Sequence, residues 1–230
     1  MTPDQRRALV LARTRLQAPP VVPELRLHLA DDMDDAWRGL QEELDDGDLP
    51  PPFWAFAWLG GQALARYVLD HPDEVAGRRV LDLATGSGLV ALAARRAGAA
   101  EVTAVDVDPF AITAAALNAT ANALDLTVRE RDLLDAPPPD VDVVLAGDVF
   151  YDRAMTDRVL PWLSEAARAG ARVLVGDPGR HYLPRALLHE LAALDVPTTR
   201  DLEGVEVKRV RVYSLGRSEA PVFHPAGGGG

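Results

Sequence analysis

Four short apolar runs, RVLDL at 79–83, EVTAVDV at 101–107, VDVVLAG at 141–147 and ARVLVGD at 171–177, are each followed by a stretch with helical spacing of its apolar residues. Strands this uniformly apolar, separated by helical patterns of about ten residues or more, predict a parallel sheet covered on both faces. The expected architecture is therefore α/β, a doubly wound and mostly parallel sheet. LTVRE at 126–130 adds a strand followed by a proline-rich loop, and GVEVKRVRVYSL at 204–215 reads as a strand near the sheet edge. Helices are expected over about 61–70, 88–96, 109–122, 152–170 and 183–194. Upstream, residues 4–17 read as a short amphipathic helix, ELRLHLA at 24–30 as a half-buried strand, and the acidic run after it as a helix. The expected organisation is an extension over 1–50, the main domain over 51–216, and a disordered tail over 217–230, where no core-forming pattern remains.

Composition narrows the function. A net charge of −11 over 230 residues argues against nucleic-acid phosphates or an anionic membrane as the main partner, since both would be repelled. A basic protein segment would be attracted. With no cysteine there are no thiolate nucleophiles or Cys-based zinc sites, and the five histidines form no H-E-x-x-H pair. The longest apolar run near the start, ALVLA at 8–12, is too short for a signal-peptide core of about 7–15 residues, so a cytoplasmic location is expected.

The first strand ends in Asp82 and runs into a turn carrying Gly86 and Gly88. In open α/β sheets ligands sit outside the carboxyl ends of the strands, over such a turn. GSGLVA at 86–91 also satisfies the G-x-G-x-x-G/A pattern of dinucleotide sites. A dinucleotide, however, brings a pyrophosphate to the helix start, and Asp82 would add a negative charge beside it. A cation suits that place better. S-adenosylmethionine, which carries a sulfonium and an α-ammonium and no phosphate, is such a ligand; S-adenosylhomocysteine would be its product. Asp82 would contribute a favourable field, or alternatively cap a neighbouring turn. Asp106, ending the second strand, can accept both ribose hydroxyls, with Val107 beside it; Asp132, with Leu133, follows the third strand and could face the adenine amino group. Asp108 reads as the N-cap of a helix with Pro109 in its first turn. Asp148 and Tyr151 form a D-x-x-Y pattern at the sheet edge where the methyl donor should lie. Phe53, Trp54, Phe56 and Trp58 form either a plug over the core edge or a wall of the ligand pocket.

PPFWAFAWLGGQALARYVLDHP, VLDLATGSGLVALAA, VDVDPFA, GDVFYD and VLVGDPGR occur in this order. The pattern resembles the electron-transfer-flavoprotein β-subunit lysine methyltransferases and their bacterial relatives, over about residues 22–215. The resemblance implies a seven-strand, Rossmann-like methyltransferase fold, S-adenosylmethionine as donor and a protein lysine as acceptor. It also implies that Trp58 lines the donor pocket and that Asp148 and Tyr151 stand on the acceptor side. Ala84 stands where many relatives have glycine, and a small residue there preserves close approach to the donor. Other readings are a small-molecule N-methyltransferase, a dinucleotide-dependent oxidoreductase and a non-enzymatic binding module.

Overall fold

The computed structural model describes residues 1–199 and 203–216, so the tail expected over 217–230 lies outside the described residues. A seven-stranded sheet organises the chain: β3 (Arg79–Leu83), β4 (Glu101–Asp106), β5 (Thr127–Glu130), β6 (Val143–Gly147), β7 (Arg172–Asp177), β8 (Leu188–Pro197) and β9 (Val207–Leu215). Their order is β5-β4-β3-β6-β7-β9-β8, with the first five parallel and β9 antiparallel to both its neighbours. The chain leaves β3 toward β4 on one side and returns to pair β6 on the other. That reversal opens a crevice over the carboxyl ends of β3 and β6.

Alternation along the strands sorts the two faces. Val80, Val102, Ala104, Val143, Leu145 and Leu174 face one core with α3 (Leu59–Asp70) and α4 (Leu89–Arg96). Leu81, Leu83, Val105, Val144, Ala146 and Val173 face another, under α6 (Arg153–Ala169). Helix α5 (Pro109–Ala121) begins at the Asp108 cap, whose carboxylate accepts the Phe110 N–H at 2.8 Å, as the sequence predicts.

Three expected elements differ. The first helix, α1, spans Pro3–Arg13 rather than 4–17. At Thr14 the backbone becomes extended, and Arg15–Gln17 forms β1, antiparallel to β2 (Leu27–Leu29). Strand β2 is itself shorter than the 24–30 reading, and α2 (Met33–Leu44) follows it. The helix expected over 183–194 is instead a single 3₁₀ turn, Arg185–Leu187, and the edge strand β8. A register shift between Glu190 and Ala192 explains the mistake. Leu188 lies with the α6-side core, while Leu191, Leu194 and Val196 lie with the opposite one. A bulge that switches faces converts a period of two into an apparent spacing of three.

The N-terminal segment is bound into the main core through Val22, Leu25 and Leu27. Asn118 of α5 and Asn122, which caps that helix, hold its backbone: Asn118 Oδ1 accepts the His28 N–H at 2.7 Å, and Asn122 both accepts from Arg26 N at 2.9 Å and donates to Arg26 O at 2.7 Å.

Candidate active site

The turn after β3 has three residues in the left-handed region: Ala84 (φ 55°), Gly86 (52°) and Gly88 (82°). A side chain at Gly88 would put its Cβ 2.9 Å from that of Ala115, so α5 can press on the turn only if residue 88 is glycine. Ala84 carries the strain a non-glycine residue bears there, which its surroundings must hold in place. Those surroundings are polar. Asp82, 1% exposed, receives the Thr85 hydroxyl at 2.5 Å and the Ala91 N–H at 3.0 Å on one oxygen. Asp106 accepts the Gly86 N–H at 2.9 Å and the Asp108 N–H at 3.0 Å. From below, the fully buried Asn118 donates to Ser87 O at 2.8 Å, joining the turn to the N-terminal segment it also holds. Of the two readings of Asp82, the turn-holding one is visible in its hydrogen bonds.

Burial pushes the Asp82 carboxyl from its ordinary 3.8 up to about 7, against the lowering effect of its two donors, and the neighbouring Asp106 adds to the rise. Between those two values the native protein holds a proton that the unfolded chain has lost, so stability falls as pH rises through that window and levels off above it. An Asp82→Asn variant keeps an acceptor oxygen and loses the titration. Its melting temperature should decline less than the wild type's between pH 5 and pH 7.5, as read by calorimetry in matched buffers. Parallel curves would show that Asp82 does not titrate in this window.

At the end of β6 the backbone of Asp148 is also left-handed (φ 55°), with its N–H donating to Gly176 O at 2.9 Å. Its carboxylate accepts the Gly61 N–H at 2.7 Å. Trp58, the N-cap residue of α3, offers no side-chain cap, so an acid from another strand fills that role. The helix can approach because both surfaces are glycine. A Cβ on Gly60 would land on the Gly176 carbonyl, one on Gly176 would land on the Gly60 carbonyl, and one on Gly147 would lie 2.9 Å from Gly61 Cα. WLGGQ, GDVFYD and GDPGR, far apart in sequence, thus form one packing unit.

The aromatic segment divides its roles. Trp54 is buried and stacks on Phe110 with centroids 5.7 Å apart, and Phe56 is buried too; these two plug the core edge. Phe53 stays 49% exposed, 5.8 Å from the half-buried Trp58 ring and 6.3 Å from that of Tyr151, itself 53% exposed. Val107, 63% exposed, stands on the rim beside Asp106. Asp82, Ala84, Gly86, Gly88 and Asp106 therefore form one cluster at the strand ends, with Trp58, Asp148 and Tyr151 along its edge. Asp132, in the loop after β5, pairs with Arg158 of α6 at 2.8 Å and accepts the Leu134 N–H at 3.0 Å, while Leu133 packs against the α6-side core. Sequence reasoning passed over Thr85, Asn118 and the four packing glycines. The Gly-Gly pair before a helix and the Gly-Asp endings of two strands were their visible signal.

The site suits a cation. Burial raises the carboxyls of Asp82, Asp106, Asp108 and Asp148 together, and no cationic side chain pairs with any of the four among the described residues. No group of His, Asp and Glu that could hold a metal ion occurs among those residues.

The ribosomal protein L11 methyltransferase (PrmA) family matches residues 62–149. The electron transfer flavoprotein beta subunit lysine methyltransferase of Xenopus laevis is 40% identical over 176 residues, 76% of this chain and 70% of the relative. That of Rattus norvegicus is 37% identical over 198 residues, 83% of this chain and 76% of the relative. The chain belongs to the electron transfer flavoprotein β-subunit lysine methyltransferase family. As a member it is an S-adenosylmethionine-dependent methyltransferase, and the glycine turn with its uncompensated acids fits that donor. The fold agrees with the S-adenosylmethionine-bound crystal structure of magnesium protoporphyrin IX methyltransferase from Synechocystis, at a TM-score of 0.51 and 16% identity over 68% of this chain and 78% of that one. A Thermoplasma acidophilum structure matches similarly, at a TM-score of 0.51 and 21% identity over 69% of this chain and 87% of that one.

Proposed function

We propose that this enzyme methylates a lysine side chain of a protein acceptor, the electron transfer flavoprotein β subunit, at the carboxyl edge of β3 and β6. The observation that carries the reading is the openness of the acceptor edge: Phe53 and Tyr151 are each about half exposed, so the rim beside Asp148 is open to a side chain presented by a large partner. An enzyme for a small free amine would enclose its acceptor. The negative charge of the chain favours an approaching basic segment.

When bound, S-adenosylmethionine supplies a methyl group activated by its sulfonium. Asp106, already oriented by two backbone N–H groups, is placed to accept from the donor's ribose, and the turn at 84–88 lets the donor come close to the main chain. Trp58 walls the donor pocket, fixed by its indole N–H bond to Phe53 O at 2.8 Å. Asp132, which also pairs with the partly exposed Arg158, is assigned with Leu133 and Val107 to the adenine side of the donor. At the acceptor side Asp148 attracts the lysine ammonium, and the rings of Phe53 and Tyr151 exclude water from it. A lysine of ordinary pKa about 10.4 costs about 4.6 kcal/mol to deprotonate at pH 7, so positioning and desolvation of the amine dominate what the protein must do.

Incubation of the purified enzyme with methyl-labelled donor and recombinant electron transfer flavoprotein should label the β subunit on lysine, as read by mass spectrometry. Label confined to small metabolites of a host lysate would move the acceptor class to free amines.

A further inference from the structure

Asp177, the last residue of β7, plays no part in the reaction as described so far. It stands one position beyond the register pair Gly147–Gly176, beside Asp148, which stands one position beyond the same pair on β6. Both acids are built alike. One oxygen of Asp177 accepts the Gly179 and Arg180 N–H groups at 2.6 and 2.7 Å, just as one oxygen of Asp148 accepts from Gly61. The other oxygen of each, Oδ2 of Asp177 and Oδ1 of Asp148, is buried without a hydrogen-bond partner. Buried carboxylate oxygens left unpaired are costly, and two at the ends of adjacent strands compound the cost.

The charge of Arg180 acts on both acids, but its buried Nε makes no hydrogen bond to either oxygen. Arg180 directs its guanidinium to the buried carboxylate of Glu203, at 2.5 Å, where Lys208 also arrives at 2.7 Å. Arg185 bonds the Gly179 carbonyl. Asp177 also lies within the field of Arg185, which lowers it, and of the Tyr213 phenol of β9, while Asp148 uses the backbone amides of α3.

We propose that Asp177 is the second carboxylate of the acceptor site, and that the unpartnered oxygens of Asp148 and Asp177 together seat the alkylammonium of the incoming lysine. This rests on the acceptor-side reading of Asp148. An ammonium carries three donors and one positive charge, which two orphan acceptors at neighbouring strand ends match. Before it arrives, burial drives both carboxyls upward, Asp148 to about 7, with the charge of Asp177 contributing and that of Arg180 opposing. Seating the ammonium therefore displaces a proton, and binding strengthens as pH rises through that range. The Asp-Pro-Gly-Arg turn after β7 thereby acquires a reason beyond its own geometry.

The test uses the full chain saturated with S-adenosylhomocysteine and two probes of equal length, n-butylammonium and neutral 1-butanol, followed by NMR titration at pH 6 and pH 8. Wild type should bind the ammonium at least tenfold more tightly than the alcohol, and more tightly at pH 8. Asp177→Asn keeps an oxygen for the Gly179 and Arg180 amides and should lose that preference, as should Asp148→Asn, with S-adenosylhomocysteine affinity unchanged within threefold. In turnover with the unmethylated protein acceptor, Asp177→Asn should raise KM at least tenfold with a smaller change in kcat. Wild type without a preference for the ammonium, or Asp177→Asn retaining it, overturns the proposal. So does a tenfold loss of S-adenosylhomocysteine affinity in Asp177→Asn, which would assign the pair to the donor. A protein substrate other than the flavoprotein leaves the butylammonium result standing, so the two readings fail separately.

Discussion

Replacing Gly176 by alanine is expected to lower stability by about 3 kcal/mol or more, at the upper end of overpacking costs, and to weaken donor binding with it. The new methyl group meets the Gly60 carbonyl and lies 2.9 Å from Leu64 Cβ. Neither is a flexible side-chain end, so relief requires α3 to move away from β7. Its N-terminus would then leave the Asp148 carboxylate, which accepts the Gly61 N–H, and Trp58 would shift with it. For a chain of this size the stability loss corresponds to a melting temperature about 6–12 °C lower. Gly47→Ala is the control, since a Cβ there meets nothing within 4 Å and the backbone is not left-handed. Its melting temperature should stay within about 2 °C of wild type. If Gly176→Ala melts with the control and binds S-adenosylhomocysteine normally, the backbone-to-backbone packing of α3 does not hold the site together.

Asp106→Ala is expected to weaken S-adenosylhomocysteine binding about 100-fold, or about 2.7 kcal/mol. Two losses combine. The ribose loses its acceptor, and the Gly86 and Asp108 N–H groups lose theirs, so the turn that must be ready before the donor arrives is no longer held. Each part-buried amide left unpaired costs about 1–3 kcal/mol. Asp106→Asn, which retains one acceptor oxygen, should fall between. Calorimetric titration at a single pH checks all three proteins, and an alanine variant within threefold of wild type would remove Asp106 from the donor site. The fold should survive both changes, because Asp106 lies at the sheet's carboxyl edge and packs no core.

The legibility of the site followed the range of the interactions that build it. Asp108 as a helix cap is a contact across two residues, and the glycine turn with Asp82 and Asp106 sits where strand and helix patterns meet, so both could be read from local spacing. The pairing of Asp132 with Arg158 could not be read so: it joins residues 26 positions apart, and no local pattern encodes it. The aromatic segment was equally ambiguous because burial of Trp54 and Phe56 and exposure of Phe53 depend on where α5 and β6 happen to lie.

What the sequence determined by itself was the parallel sheet, its helices and the acid-bearing edge, since apolar periodicity and strand-end residues are repeated within a few positions along the chain. The tertiary structure alone decided that residues 188–197 form an edge strand, because a bulge there changes which face is buried only when β9 is present to pair with it. It also decided that Gly60, Gly61, Gly147 and Gly176 close on one another and deliver Asp148 to α3, and that Asp177 comes to lie beside it. Those contacts bring together residues that are distant in sequence, and their energy arises from close approach and burial, which exist only once the sheet has formed.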